Sequence, residues 1–435
     1  MSARRRLLDG IRVVEFAGLV PVSVEVESHP FIVLNIPSPP TKGPFCGLIL
    51  ADLGATVIRV DTLSSIEKPM PDLLCRGKKS IAISAKTPGG RDALVELISR
   101  SDVVIDTFRD GVLERFGLGP KVFLGPRGKN PRLIYARLAG FDRNGEFGEM
   151  AGHDLNYLAH SGVLGMLPPS SPDGRPSFPL NIMASMSGGM LCANGILAAL
   201  LSLARSPTAQ GLVVEADLVS GTRYFSSLAL LFALLSDNPF YSQPPGQGIV
   251  DGGAPFYNSY RCADGRWMSV SCYEPHFYGR FCKLMVESVG SEFCAPQNAV
   301  CPEPHQQNNR GQWGGVALWL EAAFKTRSQL GWKDIFKGSD ICVIPVLTPA
   351  EAARIHGSEP APHPNFVDIN RCIAGGRTSL RESTSPVTQP PSILKPGTHT
   401  FEVLRSIGID DDGIDNLQKQ RALGHQTEGR VKARL

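Results

Sequence analysis

Two rhythms of apolar and polar positions alternate along the first half of the chain. Ile11 to Ala17, Ala55 to Asp61, Asp102 to Phe108 and Leu133 to Leu138 are short runs rich in β-branched residues, the pattern of strands. Cys46 to Leu53 and Gly90 to Ser101 instead space their apolar residues as helices do. Strand, helix and strand in succession predict βαβ units and an α/β fold with a doubly wound parallel sheet. An apolar helix from Gly188 to Arg205, a strand from Gly211 to Asp217 and a helix from Leu218 onward extend it. Asp237 to Gly253, rich in proline, glycine and glutamine, reads as a linker. Strands over Ala254 to Tyr260, Trp267 to Cys272 and Cys342 to Leu347, with helices between them, predict a smaller α+β domain. The division that follows is a large domain over residues 1–236, a linker over 237–253 and a small domain over 254–370. Residues 371–435 return to the large domain through a helix near Thr400 to Ile407 and end in a charged tail.

Two stretches interrupt this pattern. Val22 to Lys42, with Pro37, Pro39 and Pro40, is too long for a strand-to-helix loop and is expected to be an insertion. Ala299 to Asn309, with Cys301, Pro302 and Pro304, reads as a second one.

Composition narrows the partners. A formal charge of +3, from 44 Lys and Arg against 41 Asp and Glu, argues against a general nucleic-acid binder and leaves room for a local basic pocket. No run of about 18 apolar residues predicts a membrane span. The ten cysteines lack metal-ligand spacing and are expected as reduced thiols. The final Ala433-Arg434-Leu435 is a conservative variant of the Ser-Lys-Leu address and predicts a peroxisomal location, with mitochondrial or cytoplasmic placement as the alternative.

The chemistry centres on Ala151 to Tyr157, where His153 follows a glycine just beyond a strand-like run. An imidazole there suits removal of a weakly acidic C–H beside a carbonyl. The alternative is structural: Asp154 opens a helix and His153 packs against it. A nicotinamide site, with Asp61 as the ribose-binding acid, is rejected because Ala17-Gly18-Leu19-Val20-Pro21 stands where the glycine fingerprint would be. Arg76-Gly77-Lys78-Lys79 reads either as a solvated basic turn or as a phosphate contact.

Several segments in order resemble the family III CoA-transferase superfamily, and within it the α-methylacyl-CoA racemases. They are Leu8 to Glu15, Leu50 to Ala55, Arg76 to Ser80, Asn130 to Leu138, Ala151 to Tyr157, Asp251 to Tyr257, Glu274-Pro275 and Asp340 to Leu347. The resemblance implies an acyl-CoA racemase or epimerase that inverts the α-carbon of a 2-methyl-branched thioester through an enolate. It implies that His153 is a proton-transfer base, that Glu274 supports it by hydrogen bonding, and that Gly152, Asp154, Leu155, Asn156 and Tyr157 line the acyl-CoA site. Arg76, Lys79, Ile83, Ser84, Ala85, Lys86 and Arg115 become CoA contacts. No permanently bound cofactor and no metal is implied, since CoA arrives with the substrate, and the subunits would interlock as a homodimer. The family's second catalytic group is an aspartate where this chain has Ser185, which leaves two alternatives: CoA transfer between carboxylic acids, or an acyl-CoA-binding paralogue of impaired activity. The family also joins Pro21 directly to Gly43, so 22–42 is expected to be a retained intron or gene-model artefact.

Overall fold

A computed structural model describes residues 6–16, 42–67, 72–180, 182–235, 238, 240–241, 243–357, 359–364 and 393–424. The insertion apart from Lys42, and the terminal Ala433-Arg434-Leu435, lie outside these described residues. The elements that position the site are β1 (Arg12–Phe16), α1 (Lys42–Asp52), β2 (Thr56–Asp61), β3 (Lys78–Ile83), α2 (Pro88–Ser99), β4 (Val103–Asp106) and β5 (Ile134–Ala139). They continue as α3 (Asp154–Ser161), α4 (Met183–Arg205), β6 (Leu212–Asp217), α5 (Leu218–Phe225) and α6 (Ser227–Ala233). A second unit holds β7 (Tyr257–Arg261), β8 (Trp267–Ser271), α7 (Pro275–Val289), α8 (Trp313–Phe324), α9 (Gln329–Phe336) and β9 (Val343–Pro345). The chain returns through α10 (Thr400–Ser406), α11 (Asp411–Lys419) and β10 (Leu423–Gly424).

Among the described residues the large sheet runs β10-β3-β2-β1-β4-β5-β6. All its pairings are parallel except that of β10 with β3. Val13 of β1 is flanked by Val57 and Val103, so the central strands are apolar on both faces and are covered on both, as parallel sheets require. One face meets α1, α4 and α5 through Cys46, Leu50, Cys192, Ile196 and Leu218. The other meets α2, α10 and α11 through Leu94, Leu97, Val403 and Leu417. Thr87 caps α2 by accepting Gly90 N–H at 3.2 Å, with Pro88 in the first turn, where its missing N–H costs nothing.

β3 corrects the reading of Arg76 to Lys79 as a basic turn. Only Arg76 and Gly77 turn there, Gly77 at φ +73°, and Lys78 already belongs to the strand with its ammonium buried on Glu15 at 2.7 Å. The second unit packs around Phe256, Tyr260, Phe281, Phe324 and Trp332, with antiparallel pairing of β7, β8 and β9. The stretch 299–309 is tied into this unit. Val300 N–H donates to Gly315 O at 2.9 Å, and buried Gln307 donates to Tyr273 O at 2.7 Å while its own carbonyl accepts Trp313 Nε1–H at 2.9 Å. Among the described residues, α4 alone is long and apolar enough to cross a membrane; here its Gly188, Cys192, Ala193 and Ile196 face the core.

Candidate active site

A cavity of about 340 Å³ opens where β4 and β5 end. Its wall comes from Lys42 at the start of α1, Thr107 to Asp110 after β4, Gly140, Phe141 and Arg143 after β5, and the segment Gly148 to His153 with Tyr157. β1 and β4 are neighbours at the centre of the strand order, with the succession running outward in opposite directions from them. That is the switch point at which open α/β sheets leave a crevice beyond their carboxyl ends.

Glycine is required where the His153 turn crosses its aromatic floor. A Cβ on Gly152 would lie 2.8 Å from Tyr157 Cε1, and one on Gly140 2.5 Å from the Tyr157 hydroxyl. Phe141 and Tyr157 meet edge to face at 5.0 Å, and the Tyr157 hydroxyl donates to Gly152 O at 2.5 Å. His153 is the N-cap residue of α3, with extended backbone at φ −122°, and its N–H donates to Asn156 Oδ1 at 3.0 Å. Its side chain is exposed at the cavity. The amides of Asp154 and Leu155, in the first turn of α3, have no partner among the described residues and offer donors beside the imidazole.

Charge beneath the cavity is unevenly balanced. Arg143 is held by Asp110 at 2.7 Å and Glu215 at 3.2 Å, and Arg137 by Glu114 and Glu215. Burial pushes the Asp106 carboxyl up to about 6. Burial, and then the Arg143 charge, bring the Lys42 ammonium down to about 8. For Asp106 the raised value means that its protonated form stabilises the fold below the ordinary carboxylate range near 4, and that this contribution is lost as pH rises through 6. Asp106→Asn is therefore expected to raise stability by about 2–3 kcal/mol well above pH 6 and hardly at all near pH 4. Urea unfolding at the two pH values measures this. A stabilisation that did not depend on pH would show that the carboxyl titrates normally.

The model of CoA-transferase family III matches residues 36–359. The chain belongs to CoA-transferase family III. Within the family it is 37% identical to the α-methylacyl-CoA racemase of Mus musculus, over 95% of this chain and 97% of that protein. It is 36% identical to the α-methylacyl-CoA racemase of Homo sapiens, over 98% and 100%. The solved structure of a CAIB/BAIF family protein from Brucella suis shares the fold at TM-score 0.66 and 21% identity, over 93% of this chain and 100% of that one.

Of the residues that the sequence assigned to the site of this family III protein, the structure gathers Gly152, His153 and Tyr157 around the cavity. It places the others elsewhere. Asp154 is 6% exposed and does not line the cavity: its two oxygens accept Ala184 N–H at 3.1 Å and Ser185 N–H at 2.8 Å, capping α4 from a different helix. Ser185 is buried and lies outside the cavity wall. Ile182, just ahead of α4, is a β-branched residue at φ +99°, so the Asp154 carboxylate anchors a strained helix start. Asp154→Ala is expected to cost about 3 kcal/mol in urea unfolding, with Asp154→Asn retaining part of it, since two hydrogen bonds to a charged acceptor are lost. An unchanged midpoint for the alanine variant would mean that α4 caps itself.

Of the CoA contacts that the resemblance implied, Arg76 and Lys79 are held in ion pairs. Arg76 Nε and Nη2 bind Asp52 at 2.8 and 2.6 Å, and Lys79 binds Glu402 at 2.6 Å. Ile83 lies in the core, and Ser84 N–H donates to Ala422 O at 2.8 Å. Ala85 packs beside that core, while Lys86 and Arg115, together with Leu155 and Asn156, are exposed. Glu274 is the exposed N-cap residue of α7; it is not part of the cavity wall, and among the described residues it makes no hydrogen bond to His153. Sequence reasoning passed over Lys42, Asp106 and Arg109. Their signal was position alone, at the carboxyl end of β4 or the start of the helix after β1.

Proposed function

We propose that this chain is an acyl-CoA racemase, which inverts the α-carbon of a 2-methyl-branched acyl-CoA by removing and returning a proton through an enolate. The observation that carries this is the exposed His153 imidazole on the wall of the switch-point cavity, in a chain 36–37% identical over nearly its whole length to proteins named α-methylacyl-CoA racemase. A thioester carbonyl acidifies its α-carbon, and the imidazole takes the proton. Arg109, exposed at the rim without an ion pair among the described residues, would attract the anionic ligand.

CoA transfer between acids is the weaker reading. Position 185 holds no carboxylate, and the one carboxylate at the start of α4, Asp154, is occupied by two amides. An interlocked homodimer is part of the proposal, supported by the exposed Tyr224, Phe225, Leu228 and Leu231 along α5 and α6 and Leu234 just after them. The test is incubation of a 2-methylacyl-CoA with the protein in D₂O. Deuterium entering the α-carbon supports racemisation, and none entering while CoA binds overturns it.

A further inference from the structure

Inversion requires that the proton removed from one face of the α-carbon be replaced on the other, so a pocket with one base is incomplete. The candidates for a second group can be taken in turn. Arg109 and Arg143 stay protonated, and Arg143 is in any case held by Asp110 and Glu215. Asp110 is bound to Arg143, Glu149 belongs to the same Gly148 to His153 stretch of the wall as the imidazole, and the Tyr157 hydroxyl is committed to Gly152 O with its titration pushed up by burial. Asp106 lies beneath the cavity wall.

Lys42 remains. It lines the same cavity as His153, and among the described residues its ammonium forms neither an ion pair nor a hydrogen bond. It is the last residue of the segment expected to be extraneous, yet it forms the first turn of α1, whose following residue Gly43 is pressed against Thr107 so closely that a Cβ would lie 2.4 Å from Thr107 Cγ2.

The geometry points to Lys42 as the second proton-transfer group of the pocket, acting on the face of the α-carbon opposite His153. The inference rests on the racemase reading. In one direction neutral His153 takes the α-proton, leaving an enolate and an imidazolium, and the Lys42 ammonium gives a proton to the other face and becomes an amine. In the reverse direction the amine takes the proton and the imidazolium gives one. Exchange with water restores the starting protonation after each turnover. The lowered ammonium value, about 8, with Asp106 and Arg143 as its charged neighbours, suits a group that must both give and accept a proton near neutral pH.

The test uses the full chain, residues 22–42 included, and each enantiomer of a 2-methylacyl-CoA separately in D₂O, following α-deuteration and inversion. Wild type is expected to exchange and invert both. Lys42→Met should lose inversion at least ~100-fold in both directions. It should keep exchange for the enantiomer whose proton faces His153 and lose it for the other. Lys42→Arg, which retains the charge but cannot deliver a proton, should behave as Lys42→Met, and unchanged CoA affinity in both variants shows that they are folded. Equal slowing of exchange for both enantiomers, inversion restored by arginine, or wild-type inversion in Lys42→Met would overturn the role of Lys42 alone. Absence of exchange in the wild type overturns the racemase reading and this inference with it.

Discussion

Replacing His153 by alanine is expected to slow α-deuteration of a 2-methylacyl-CoA by about 10² to 10⁴-fold while CoA affinity and the urea midpoint stay near wild type. The separation follows from how the residue is held. Its backbone N–H is satisfied by Asn156 Oδ1, so the start of α3 keeps its geometry when the ring is removed. The side chain is exposed, so its loss leaves no cavity in the core. The floor of the site, Phe141 against Tyr157 beneath Gly152, is untouched. A matched loss of exchange and of CoA affinity would mean that the ring shapes the pocket without moving a proton, and a small loss would return His153 to the role of an ordinary helix cap.

Much of the fold was legible because its strands are short β-branched runs bounded by turns: β1, β2, β4 and β6 fall inside stretches read from their residues alone, and β5 runs one residue past its stretch. β3 was not, because it opens with Lys78-Lys79-Ser80, which reads as solvated surface. A buried lysine is legible only once its partner is known, and Glu15 lies 63 residues away in sequence. The site shows the same limit. His153 stood out because its ring and flanking glycine form a local pattern, whereas Asp154, beside it, was read as lining the substrate. Its amide partners lie 30 and 31 residues on, at the start of a helix that no local pattern connects to it. Lys42 was legible only as the end of an insertion; the turn of helix that brings it to the cavity is a tertiary fact.

The largest loss of stability is expected from Lys78→Met. Both side chains of the Lys78–Glu15 pair are 0% exposed, the ammonium also donates to Pro44 O at 2.8 Å, and Glu15 Oε1 has no partner among the described residues. Burial already pushes the Glu15 carboxyl up, opposed chiefly by Lys78. Methionine fills much of the lysine volume but leaves a carboxylate that water cannot reach, since Gly47 passes so close that even a Cβ there would lie 1.8 Å from Glu15 Oε2. Breaking such a pair costs about 3–5 kcal/mol. The sign with pH is fixed by the raised carboxyl. The protonated form stabilises the fold below the ordinary carboxylate range, and that contribution is lost as pH rises through the elevated folded value, so the variant should come nearest to wild type in acid and fall furthest behind in alkali. Adding Glu15→Leu should recover most of the loss, because an apolar pair tolerates burial that a lone carboxylate does not. A lone Lys78→Met variant as stable as wild type in alkali would show that water reaches the pair. The pair also bears on the chemistry: Pro44 O belongs to the first turn of α1, the turn that begins with Lys42, so the charge that joins β1 to β3 also holds the helix start at the cavity wall.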